Sequence, residues 1–217
     1  AGVESKETGN HFQAQSTLDA LVEASGGLKT VAVSLHKIAN DIRLMGCGPR
    51  AGLGELLLPE VQPGSSIMPG KINPVISESV IQVVAQVIGN DATIALAGNG
   101  GYFELNTMMP VAAYNIQQSI SLLAASADNF AEQCVKGIQA TATGPEMVEK
   151  GLMLGTALTP AIGYDAAAAI AKEAAASGQT IREVAKQKAD LSDAELDTLL
   201  DPVAMTKPGL ETGGGGG

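Results

Sequence analysis

The sequence predicts an all-α protein, part of a long central helical bundle followed by a small helical C-terminal domain, and three observations predict it. Hydrophobic residues make up 45% of the 217-residue chain while aromatics are only 3% and Trp is absent. A core of that kind has to be built from Ala, Val, Leu, Ile and Met, which favours helix on helix. Long stretches carry apolar residues at three- and four-residue spacing. Gly- and Pro-rich connections and, later in the chain, helix-capping signatures separate those stretches.

The first element is a long helix over residues 12 to 45, whose seam reads Leu18, Leu21, Leu28, Val31, Leu35, Ile38, Ile42 and Met45, with Ser25 in the one gap. Gly26 and Gly27 predict a bend rather than a break, because the register runs through them. The segment "MGCGPRAGLGELLLPEVQPGSSIMPGKINP" is then an extended connection, and loops of this length in a compact protein tend to carry function.

Asn73 and Pro74 predict the N-cap and first position of a second helix reaching about Ala97. Glu78, Gln82, Gln86 and Asn90 recur on it every fourth residue, one polar stripe on an otherwise apolar rod that other helices must surround. Its polar residues make it a core helix rather than a membrane span. A third long helix is predicted from about 108 to 134, with Val111, Ile116, Ile120, Leu123, Ala127 and Phe130 inward.

After "CVKGIQATATGPE" the helices become short. Thr180 with Glu183 and Ser192 with Glu195 are capping boxes, and Gly163 and Gly178 are stops. The expected organisation is a partial central-bundle domain over 1–136 with the loop 62–74, a C-terminal domain over 137–210, and a disordered Gly-rich tail over 211–217.

A net charge of −10 argues against nucleic acid or an anionic membrane as partner. Two separated cysteines, Cys47 and Cys134, without a CxxC pattern, point away from a disulfide framework or zinc site and towards a reducing, cytoplasmic compartment. Both are expected to be buried small hydrophobes. No signal peptide is visible at "AGVESKETGN". His36 is expected at a surface or interface, and Arg50 either meets an anion or braces its loop.

The stretch "GSSIMPGKINP", 64 to 74, places two serines, a lysine and an asparagine in one stiffened loop at a helix start. Free backbone N–H groups there favour an anion, Lys71 adds a positive charge and Asn73 an amide. That set suits a carboxylate and the extra charge it acquires when the adjacent carbon loses a proton, with a serine as candidate base. A capped loop with solvated polar residues has the same composition, and Glu78 in a helix's first turn is favourable through the macrodipole alone.

The loop resembles the signature of the fumarase and aspartase superfamily. The resemblance extends through "DALVEASGGLKTVAVSLHKIANDIRLM", "GPRAGLGEL", "GNGGYFELN" and "LTPAIGYDAAAAIAK", from about His11 to Asp201, and "FELN" and "IGYD" are more similar to class II fumarase than to aspartase. It implies that Ser65 takes the C3 proton of malate, that Ser66 helps bind substrate, and that Lys71, Asn73 and the Ile72 backbone hold the carboxylate. Glu78 matches a glutamate that orients the catalytic histidine. The implied activity is reversible hydration of fumarate to L-malate, a step of the citric acid cycle, without cofactor or metal, in a homotetramer. The histidine and other substrate-binding segments match nothing among the 217 residues, so the resemblance is to the C-terminal half and the site is expected to be incomplete here. Gln62 stands where many relatives carry an acidic residue. The alternatives are an aspartate ammonia-lyase and a non-catalytic helical oligomerisation fragment.

Overall fold

The computed structural model describes residues 2–208, and the expectation for the 211–217 tail lies outside them. The first predicted helix is two helices. In α1 (His11–Ser16) the Asn10 side chain accepts the Gln13 N–H, and Thr17 then turns extended, so that α2 (Asp19–Met45) begins afresh. Gly26 and Gly27 lie within α2 without ending it.

A connection containing the two-residue strand β1 (Leu56–Leu57) leads to α3 (Val75–Gly98). There follow a hairpin of β2 (Gly101–Tyr102) and β3 (Leu105–Asn106), α4 (Met109–Gln133), a 3-10 turn, and β4 (Gln139–Ala140), which pairs antiparallel with β1. Sequence reading missed the hairpin, whose turn places Phe103 at φ 53. The buried Asn106 joins its neighbours: its amide donates to the Ala97 carbonyl ending α3, and its Oδ1 accepts from Met108 N–H at the start of α4.

Packing in this first unit, which ends at Ala140, centres on α3, lying against both α2 and α4. Val80, Val84 and Val87 of α3 meet Ala32 and Ala39 of α2 and Leu123 and Phe130 of α4 in one cluster. The α2 seam is rotated from the predicted one. Ser25, Ala32 and Ala39 are its buried residues, flanked by half-buried Leu28, Leu35 and Ile42, whereas Val31 and Ile38 are exposed. On α4, Ile120 is likewise exposed while Ser119 and Ser126 are buried. Small residues at these positions let the helix axes approach closely.

Of the polar stripe on α3, Asn90 is the buried member. Its amide donates to Ser119 Oγ at 3.0 Å and Gln118 Oε1 at 3.0 Å, and its Oδ1 accepts from Gln86. Next to it, Asp91 accepts from the buried Ser25 hydroxyl at 2.7 Å and from the Lys29 ammonium of α2. By length and composition α3 alone among the described helices could cross a membrane. Its buried amide and carboxylate, tied to the flanking helices, are those of a bundle core.

Asp91→Ala is expected to destabilise the fold by about 2–3 kcal/mol, since it strands the buried Ser25 hydroxyl and removes the Lys29 counter-charge. Burial pushes the Asp91 carboxyl up, but hydrogen bonds from Lys29 and Ser25 outweigh it and hold the group below its ordinary 3.8. A lowered folded-state value means the contribution is complete above the unfolded-state value and fades as pH falls through the folded one. Urea unfolding of wild type and variant should therefore show a gap that is constant near neutrality and narrows below about pH 3.8. A pH-independent gap would remove the carboxylate's charge from the account.

The second unit begins at Thr141. It comprises α5 (Thr143–Lys150), a 3-10 segment (Leu152–Leu158), α6 (Thr159–Ile162), α7 (Tyr164–Ser177), α8 (Ile181–Lys188), α9 (Asp193–Leu199) and α10 (Pro202–Met205). Both predicted capping boxes form, with reciprocal bonds between Thr180 and Glu183 and between Ser192 and Glu195. Gly163 and Gly178 end α6 and α7 at φ 80 and φ 74, the left-handed region that glycine enters at least cost. Leu154, Leu158, Ile181, Val184, Leu196 and Leu200 are fully buried in its core. Arg182 bridges Glu149 and Asp197 over that core.

Candidate active site

The loop 62–74 hangs between two fixed points. On one side β1 is paired with β4, and Pro59 packs so closely on Gly137 that a Cβ there would lie 2.5 Å from the proline ring. On the other side the chain enters α3, where Glu78 N–H donates to the Pro74 carbonyl.

Pro74, not Asn73, is the N-cap residue of α3, and it offers no side-chain cap. The Asn73 amide is used elsewhere: it donates to the Gly64 carbonyl at 2.7 Å. Gly64 N–H in turn donates to the Lys71 carbonyl at 2.8 Å, so both ends of the loop close on one glycine. Within the closed loop the Ser65 hydroxyl accepts two backbone N–H groups, from Ile67 at 3.2 Å and Met68 at 3.1 Å. Gly70 completes the return at φ 76.

The structure thus gathers Ser65, Lys71 and Asn73, which are six and eight residues apart in sequence, around Gly64. Ser65 and Asn73 are half-buried, whereas Ser66, Lys71 and Ile72 are exposed. Glu78 stands half-buried in the first turn of α3, connected to the loop through backbone. Behind the loop, Ser77 is fully buried, and burial pushes the Cys134 thiol up. Cys134 is buried as expected. Cys47 is exposed instead, its Sγ accepting the Leu53 N–H in the connection before β1, because backbone there is too irregular to cover it. His36 is half-buried on α2, and His11 pairs with Glu7 at the surface.

Two contributors escaped sequence reading. The Ile67 and Met68 N–H groups were legible in principle, since a serine hydroxyl readily accepts from backbone two or three residues on. The closing role of Gly64 was not, because nothing in sequence distinguishes a glycine needed for space from one needed for backbone conformation.

Chemically, the arrangement offers a hydroxyl held by two N–H donors in a loop that also carries an exposed lysine and leads into a helix. A family model described as Lyase matches residues 1–89, and one described as Fumarase C C-terminus matches 154–207. Class II fumarate hydratase of Rickettsia conorii is 53% identical over 201 residues, which are 92% of this chain and 43% of that protein. The chain belongs to the class II fumarase family. The Corynebacterium glutamicum class II fumarate hydratase is 52% identical over 208 residues, 93% of the chain and 44% of the relative. Among solved structures, a fumarate lyase:delta crystallin from Brucella melitensis superposes with a TM-score of 0.85 at 51% identity, covering 95% of this chain and 45% of that one. The class II fumarase from Schistosoma mansoni gives a TM-score of 0.84 at 39% identity, covering 92% and 42%. The chain therefore spans less than half the length of the fumarases it matches.

Proposed function

We propose that this chain forms part of a fumarate hydratase, which interconverts fumarate and L-malate. The observation that carries the reading is identity of about half across 92% of the chain to a class II fumarate hydratase, in a match that takes in the signature loop. In the malate direction the Ser65 oxygen takes a proton from C3. The electron pair moves into the adjacent carboxylate, which becomes the aci-form. The C2 hydroxyl then leaves as water with a proton from a general acid.

The loop supports each role. Two N–H donors on Ser65 Oγ favour its oxyanion, the form a base needs. Lys71 supplies a charge that attracts the aci-carboxylate more strongly than the ground-state one. Ser66, the Ile72 backbone and the Asn73 amide complete the carboxylate site, with the amide exchanging its Gly64 partner for substrate. Glu78 orients a histidine supplied from outside these 217 residues. No cofactor or metal enters the scheme.

The exposed apolar residues Val31 and Ile38 on α2, Ile88 on α3 and Ile120 on α4 support association into a helical homotetramer. A cytoplasmic enzyme of the citric acid cycle is the corresponding cellular reading. Incubating the complete protein with malate and with aspartate, and following fumarate by its ultraviolet absorbance, tests the function. Fumarate from malate alone is the expected result. Release from aspartate would make it an ammonia-lyase, and release from neither would return the chain to a helical scaffold.

A further inference from the structure

Gly64 holds both arms of the signature loop with its own backbone, donating to the Lys71 carbonyl and accepting from the Asn73 amide. A Cβ built on it would lie 2.4 Å from the Lys71 oxygen, 2.8 Å from the Lys71 carbonyl carbon and 3.0 Å from the Asn73 nitrogen. All three neighbours are backbone, so none can swing aside as a side chain would. Gly64 is absent from the positive-φ glycines, which include Gly70 at φ 76. The two glycines of the loop therefore serve different needs. Gly70 supplies a left-handed conformation in open space, with nothing within 4 Å of its would-be Cβ. Gly64 supplies space, outside the left-handed region.

Ser65 follows Gly64 directly, so the gap at Gly64 governs how closely the backbone that carries the Ser65 hydroxyl approaches the backbone of Lys71 and Asn73. We infer that Gly64 is a positioning residue, whose missing side chain sets the separation between the proton-accepting hydroxyl and the carboxylate-holding arm of the loop. The inference rests on the hydratase reading above. A hydroxyl displaced by about 1 Å from its reacting carbon can lose up to about a hundredfold in rate.

The test is Gly64→Ala in the complete enzyme, with Gly178→Asn as the companion: Gly178 ends α7 at φ 74, outside the loop and with nothing within 4 Å of its would-be Cβ, and asparagine tolerates the left-handed region. Three quantities are read: kcat for malate, calorimetric affinity for the unreactive dicarboxylate succinate, and hydrogen exchange at residues 64, 67 and 68. Expected for Gly64→Ala is a kcat lower by about tenfold to a hundredfold, succinate affinity within about threefold, an unchanged circular dichroism spectrum, and faster exchange at 64. Gly178→Asn should stay near wild type throughout. A folded Gly64→Ala enzyme with wild-type kcat, or with succinate affinity falling in step with kcat, overturns the positioning role. So does a rapidly exchanging Gly64 amide in the wild type, a measurement that stands even if the variant does not fold. A complete wild-type protein that releases no fumarate from malate defeats the hydratase reading itself, and the positioning role with it.

Discussion

In the complete enzyme, Ser65→Ala is expected to lower kcat by about 10² to 10⁴, the range typical of a general base, while leaving fold and most substrate affinity intact. The structure makes this a clean substitution. Ser65 is half-buried in a loop outside every helix, so its loss creates no core cavity. The two N–H groups that its hydroxyl accepts, from Ile67 and Met68, lie at the exposed loop surface, where water replaces the lost acceptor at little cost. Gly64 keeps its own bonds to Lys71 and Asn73, neither of which involves the serine side chain. The carboxylate site thus survives and the proton acceptor does not, so the deficit belongs in kcat. Steady-state kinetics with circular dichroism as control decides the matter: a folded Ser65→Ala enzyme at wild-type kcat would reduce the loop to a capped turn.

The helices were legible because they are long and strongly periodic, and the points at which reading slipped share a cause. A three-then-four repeat drawn through large side chains runs from Ser25, its one small member, through Val31 and Ile38, yet a heptad line of small residues from the same Ser25 through Ala32 and Ala39 is interleaved with it on the helix. Weight of hydrophobicity favours the first, whereas close approach of α2 to α3 selects the second, because only small residues fit between tightly packed axes. The same competition exposed Ile120 while burying Ser119 and Ser126 on α4. The break at Thr17 precedes Leu18, the first member of the predicted seam, so no apolar period ran through that point to register it. In the second unit, by contrast, every signal was local: a Thr or Ser three residues before Glu, or a glycine at a stop, needs no partner helix to decide its conformation.

In the site, residue types were legible and their connections were not. An asparagine before a proline at a helix start satisfies the capping rule as well as it satisfies a loop closure, and the energies are similar, each about 1 kcal/mol. What tips Asn73 to Gly64 is the tertiary path of the loop, which returns its two arms to the same point. The choice of Ser65 over Ser66 as candidate base came only through the family resemblance, since the loop's composition treats the two adjacent serines alike.

Lys71→Ala should affect catalysis differently from Ser65→Ala, raising KM and lowering kcat together. An ammonium beside a carboxylate already interacts with bound malate, so removing it weakens binding by about three- to tenfold, as suits a partly solvated ion pair. In the aci-form that carboxylate carries a second negative charge, and the same ammonium then opposes a larger charge. Loss of such a donor costs about 10² to 10³ in kcat. Lys71 is exposed in this structure, as a group that must first meet a charged ligand from solution has to be. Its share in binding should also shrink with added salt, as expected for an exposed charge. Lys71→Arg separates charge from shape, because a planar fork on a different stem keeps the charge but not the position of the point donor. The expected order is therefore KM near wild type for Lys71→Arg with kcat still depressed, and both parameters damaged for Lys71→Ala. If Lys71→Ala raised KM alone at constant kcat, the ammonium would be a ground-state binder, and stabilisation of the developing charge would pass to Asn73 and the backbone donors at Ile72.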